Sequence, residues 1–260
     1  MSLGSEMSEL KNLTFLNASN NKLTKAFDWG TDTVLTEVNF SNNKIEELVK
    51  LRRQKSLRKL DLSMNHVPDV RGLDQCRQLQ SLNLSHNEIR SAEGLDSLPL
   101  FDLNLANNKM ETIQGCSNLP NLVELNLSSN KIKNIELFNQ SESPIQRLNL
   151  AGNSLGKIGD ILPLQKLKFL HSLDLRGNPL CQVDDYRELI IFRVNSVKLK
   201  KSKNWPNVCG LRWNYVISSP LKYTDPNFKG TVVKNELKAL PLFFHFNKSL
   251  SDWKLFSKKI

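Results

Sequence analysis

Eight asparagines recur along the chain, at Asn21, Asn43, Asn65, Asn87, Asn108, Asn130, Asn153 and Asn178, with gaps of 22, 22, 22, 21, 22, 23 and 25 residues. A carboxamide does no bond-making chemistry. It donates and accepts hydrogen bonds at a fixed charge of zero, which suits it to satisfying backbone groups at a bend. Each Asn closes the same phrase, L-x-x-L-x-L-x-x-N-x-L with conservative swaps. Leu79, Leu82, Leu84, Asn87 and Ile89 fill it once, and Leu122, Leu125, Leu127, Asn130 and Ile132 fill it again. A period in this range is the signature of a solenoid.

The side chains that could run covalent chemistry do not assemble into a reactive pattern. The sequence contains no G-x-x-x-x-G-K-[ST] loop, no H-E-x-x-H and no C-x-x-C. Of the histidines His66, His86, His171 and His245, the first two neighbour ladder asparagines and read as turn residues. His171 and Cys181 flank the last strand, too weak a pairing for a metal site. Glu46-Glu47 fits a solvated face, and Asp184-Asp185 a helix N-cap. The expectation is a non-enzymatic chain with no cofactor, no metal site and no small-molecule substrate.

The elements that position the asparagines follow from the same phrase. The L-x-L step has period two and reads as a short strand with one buried face. The Asn then serves the bend, its amide bonding backbone within its own coil and in the next. Stacked coils place the amides in a ladder, which must be fully paired because a buried unpaired group costs about 1–3 kcal/mol. Apolar residues such as Val70 and Leu73, Ala92 and Leu95, or Ile113 and Leu119 mark the return path. No repeat buries its own apolar face; stacking does.

These residues resemble the leucine-rich repeats, and among them the SDS22-like class with about 22 residues per turn. The resemblance covers residues 10–180 and implies an α/β solenoid: a horseshoe with a parallel concave sheet of about eight strands, closed by a C-terminal helical cap. Asn178-Pro179-Leu180 followed by Tyr186-Arg187 is similar to that family's cap motif, with Leu189, Ile190 and Phe192 covering the last coil. Val197-Lys198-Leu199 is all that matches its closing strand. At the other end, Leu3, Met7 and Leu10 sit where the return half of a preceding repeat belongs. The expectation there is a chain cut from a longer one, or begun late. The Gly72-Leu73-Asp74 and Gly94-Leu95-Asp96 phrases and the lengthened repeat from Asn153 to Asn178 are similar to the array preceding the kinase-like domain in leucine-rich-repeat and guanylate-kinase-domain proteins. That similarity implies a scaffold in cilia or another microtubule-based assembly, here without the kinase-like domain.

Charge divides the chain unevenly. Residues 1–180 hold 21 Lys plus Arg against 20 Asp plus Glu, and residues 181–260 hold the other 15 against 6, so a net of +9 of the overall +10 belongs to the end of the sequence. The expected organisation is a solenoid over 1–199, with its cap from about 178, then a basic, aromatic, poorly ordered tail over 200–260. The tail carries Trp205, Trp213 and Trp253 beside Lys198, Lys200, Lys201 and Lys203. It supplies the alternative reading: nucleic-acid or acidic-surface binding through 198–260. Four scattered cysteines, Cys76, Cys116, Cys181 and Cys209, form no terminal cluster. There is no signal-peptide pattern and no 18-residue apolar run. An intracellular, cytoplasmic setting is expected.

The residues flanking each buried strand leucine point to the concave side. Their central row is Asn17, Asn39, Asp61, Asn83, Asn104, Asn126, Asn149 and Asp174, wholly Asn or Asp, a trait of the sheet in which each amide bonds its neighbours. The row before it, Phe15, Glu37, Lys59, Ser81, Asp102, Glu124, Arg147 and Ser172, varies most, and sheet geometry does not dictate it. At about 4.8 Å per strand, eight strands make a groove of roughly 35–40 Å, suited to a partner's helix or extended segment. A polar floor disfavours lipid, and mixed charge disfavours nucleic acid. A protein partner is expected, bound through Glu37, Lys59, Asn83, Asp102, Asn104, Glu124, Asn126 and Arg147.

Overall fold

The L-x-L steps become eight three-residue strands: β1 (Phe15–Asn17), β2 (Glu37–Asn39), β3 (Lys59–Asp61), β4 (Ser81–Asn83), β5 (Asp102–Asn104), β6 (Glu124–Asn126), β7 (Arg147–Asn149) and β8 (Ser172–Asp174). In the computed structural model they form one parallel sheet in sequence order. The register follows the repeat: Leu60 pairs with Leu82, Leu82 with Leu103 and Leu103 with Leu125. The structure describes residues 12–26, 34–48, 51, 54–96, 98–184 and 190, all within the first of two units, Met1–Ser218.

The solenoid of about seven turns fills its core from the sheet on one side and the return path on the other. From β2 to β8 the middle strand residue is at most 3% exposed, as are Leu57, Leu79, Leu100 and Leu122 just before their strands. The return path is completed by Val70 and Leu73, Ala92 and Leu95, and Ile113 and Leu119, all buried. Where the last two repeats lengthen, the return winds into 3-10 helices at Glu136–Gln140 and Ile158–Lys166, which bury Phe138, Ile161 and Leu164. Every coil thus contributes a slice of one continuous apolar cluster, and none has a core of its own.

The amide ladder is present, with one correction of direction. Asn43 through Asn178 are all no more than 8% exposed. Each reaches back to the preceding coil rather than on to the next. Asn87 Oδ1 accepts the Val67 N–H at 2.9 Å, while Nδ2 donates to Leu62 O of the preceding coil at 2.9 Å and to Leu84 O of its own at 3.0 Å. The same three bonds recur at Asn108 and Asn130. Asn21 is exposed and, among the described residues, bonds only its own coil, at Ala18 O and Ser19 O.

Immediately before each ladder Asn the backbone turns left-handed: Asn20, Asn42, Met64, His86, Asn107 and Ser129 have φ between 54° and 58°, and Gly152 and Gly177 continue the row. His86 is therefore a turn residue, as its place beside Asn87 suggests. Asn and Gly tolerate this conformation; Met64 and Ser129 hold it against its steric cost.

Of the cap residues, Asp184 is exposed in a turn, and Ile190 is helical and buried against the core. Asp185, Tyr186, Arg187, Leu189, Phe192 and the tail 200–260 lie outside the described residues, as do Leu3, Met7, Leu10, His245 and Cys209.

Candidate functional site

The parallel pairing places the first and third residues of every strand on the face opposite the core. Their side chains are exposed or half-buried along the whole sheet, while the residue between them is buried from β2 onward. Eight strands in register give two continuous rows, and these are the concave rows expected above.

The central row has a local cause different from the one expected. The side-chain oxygen of each third residue accepts the backbone N–H two residues on, closing an Asx turn at the end of its strand. Asn39 takes Ser41 at 2.9 Å, Asn104 takes Ala106 at 3.1 Å, Asn149 takes Ala151 at 3.0 Å and Asp174 takes Arg176 at 3.0 Å. Only one side-chain bond within this row passes between strands: Asn83 Nδ2 donates to Asp61 Oδ2 at 3.2 Å. The turn requires an acceptor oxygen, so it demands Asn or Asp and does not choose between them. Where the residue is Asn104 or Asn126, the side-chain NH2 has no partner among the described residues and faces the groove.

The first row contains the charges. Glu124 and Arg147 are register partners on β6 and β7 and form an ion pair, each about half exposed. Asp102 accepts the Ser81 hydroxyl at 3.2 Å from the adjacent strand. Glu37 and Lys59 stand opposite each other on β2 and β3 without forming an ion pair. The structure thus joins Glu124 to Arg147, ties Asn83 to Asp61 and Asp102 to Ser81, and leaves Glu37, Lys59 and the amide donors of Asn104 and Asn126 without side-chain partners among the described residues. Asp61 and Ser81 were not among the expected contact residues. Their positions in the rows were visible, but the cross-strand bonds that involve them were not. At the far end, Asp174 holds Arg176 through a contact of 2.5 Å.

On the flank after the ladder, Glu46, His66, Pro68 and Glu88 line a shallow cleft. Lys109 donates to Glu88 at 2.7 Å and holds its carboxyl below the usual range. Cys76 and Cys116 are buried, and burial pushes both thiols up to about 12. Among the described residues no three His, Cys, Asp or Glu side chains gather as metal ligands, and no helix is long and apolar enough to cross a membrane.

Comparison with known proteins gives the same repeat. A family model described as leucine-rich repeat matches residues 96–205, and a two-copy leucine-rich repeat model matches residues 55–97. The acidic leucine-rich nuclear phosphoprotein 32 family member A of Drosophila pseudoobscura is 42% identical over 72 residues, 28% of this chain and 27% of that protein. Leucine-rich repeat-containing protein 23 of Bos taurus is 31% identical over 93 residues, 36% of this chain and 27% of that protein. The matched stretch is therefore about a quarter of each relative's length. Among solved structures, an internalin of Listeria monocytogenes superposes with a TM-score of 0.65 at 26% identity, over 80% of this chain and 58% of that one. The InlJ functional domain of the same organism does so with a TM-score of 0.54 at 24% identity, over 75% and 40%.

Proposed function

We propose that this chain, whose residues 55–97 and 96–205 match leucine-rich repeat models, is a non-enzymatic scaffold that captures a partner protein on the concave sheet. The observation that carries this reading is the first strand row. The Asx turns dictate the central row and the core dictates the leucines, yet nothing in the fold dictates Glu37, Lys59, Asp102, Glu124 or Arg147. With Asn83, Asn104 and Asn126 they form the proposed contact surface. Recognition is an equilibrium of shape, charge and hydrogen bonding, with most affinity residing in a few central contacts.

The setting we propose is intracellular, consistent with a relative named as a nuclear phosphoprotein. The finer reading places the chain among SDS22-like arrays, in a cilium or other microtubule-based assembly. Its support is the Gly-Leu-Asp phrases at 72–74 and 94–96 and the 25-residue interval from Asn153 to Asn178. A tagged chain that distributes away from axonemes and microtubules removes that part alone. For the scaffold itself, the test is quantitative co-purification from cell extract with wild-type, Glu124→Lys and Arg147→Glu chains. Loss of the same partners from both variants, with unchanged far-UV circular dichroism, is the expected result. Undiminished capture by both moves the contact off the concave sheet.

A further inference from the structure

Between Glu47 and Asp61 the sequence contains six basic residues and no acidic one: Lys50, Arg52, Arg53, Lys55, Arg58 and Lys59. The described members of this run reach the surface together. Lys55 lies in the turn before β3, two residues ahead of the buried Leu57. Arg77 holds the equivalent place one coil on, two residues ahead of the buried Leu79. Arg58 is the residue just before β3, its backbone bonded to Thr36 on one side and Gln80 on the other, and Lys59 opens the strand. All four side chains are exposed, and no acidic group among the described residues forms an ion pair with them. Three acids lie nearby. Glu37 faces Lys59 in register without pairing, Asp61 spends its carboxylate on Ser63 and Asn83, and Asp74 accepts from Gln75.

We infer that Lys55, Arg58, Lys59 and Arg77 form a docking point for a short acidic segment of a partner protein. This rests on the scaffold reading and adds the location and the charge of one contact. Adjacent coils lie about 5 Å apart, and carboxylates three or four residues apart on a helix recur at about 5–6 Å, so two or three acidic residues match the patch. A long polyanion fits worse. Two strands on, the first row turns to Asp102 and then Glu124, whereas a nucleic-acid track requires a continuous basic stripe.

The test uses the full chain and a fluorescein-labelled hexaglutamate peptide, read by anisotropy in about 50 mM salt, where exposed charges are weakly screened. The Arg58→Glu/Lys59→Glu double variant, and separately Arg77→Glu, are each expected to weaken binding about tenfold or more. Glu124→Lys should not weaken it. Zero-length carbodiimide cross-linking should join the peptide to Lys55 or Lys59. Unchanged binding by folded variants overturns the inference, as do cross-links confined to Lys198–Lys203. Displacement of the peptide by a single-stranded oligonucleotide that itself binds more tightly through Arg58 and Lys59 also overturns it, in favour of nucleic acid. Any of these outcomes, with partner capture still lost from the Glu124 and Arg147 variants, leaves the concave-sheet reading intact.

Discussion

Arg147 on β7 lies in register with Glu124 on β6, and their side chains form an ion pair across the open face of the sheet. Both are about half exposed, so the pair adds only about 0.2–1 kcal/mol to stability. Reversing either charge should lower the melting temperature little while weakening partner capture. The double swap, Glu124→Arg with Arg147→Glu, rebuilds the pair with inverted polarity. We expect it to restore stability fully and capture hardly at all, measured by thermal denaturation and pull-down. Restored capture would show that the pair supports the sheet and does not itself touch the partner.

The ladder makes its members unequal. Asn87→Ala removes the acceptor for the buried Val67 N–H and the donor to Leu62 O, and should destabilise by about 2–4 kcal/mol. Asn21→Ala loses, among the described residues, bonds only to its own coil at an exposed position and should cost under about 1 kcal/mol. Urea denaturation of the two variants compares them directly. Equal losses would contradict the backward reach of the amide.

Two backbone positions respond in opposite senses. Met64 is 54% exposed and holds φ 56° before Asn65, so Met64→Asn should stabilise by roughly 0.5–1 kcal/mol, because Asn adopts that conformation more readily. Gly115 has φ 79°, and a Cβ there would lie 2.1 Å from the Ala92 carbonyl carbon. Gly115→Ala should therefore separate the two coils and cost more than about 3 kcal/mol. Melting curves of both variants read the two signs.

Leu82 is 1% exposed at the middle of β4, paired with Leu60 and Leu103. Leu82→Asp places a charge between coils without a partner and should abolish cooperative folding. A soluble variant with a sharp transition would disprove the strand register.

The buried thiols supply a pH test. Cys76 and Cys116, with pKa values pushed up to about 12, hold almost no thiolate at pH 8, and both side chains are enclosed. Maleimide should label neither in the folded chain at that pH, and both after denaturation. Half-buried Cys181 should react first among these three. Peptide mapping after timed quenching follows each site.

Much of the fold was legible because the period is written in neighbouring residues. A leucine two positions from a leucine, with Asn three beyond, fixes a strand, a buried face and a bend; β1 through β8 fall on those steps. The concave rows follow by counting. Less of the site was legible. Glu124 and Arg147 were visible as members of a variable row, but that they engage each other depends on two side chains meeting across strands. The Asn or Asp in the central row was visible as a pattern, and its cause as an Asx turn was not. Met64 and Ser129 in left-handed turns escaped notice because neither type favours that backbone.

By itself the sequence determined that this chain stacks coils, where each strand begins, and which residues turn inward, since stacking needs only a constant repeat and one apolar face per coil. The tertiary structure alone decided that each buried ladder amide binds the coil before it and which charges on the open sheet pair. Those are relations between residues about 20 or more positions apart, set by how one coil settles on the next, and no local spacing encodes them.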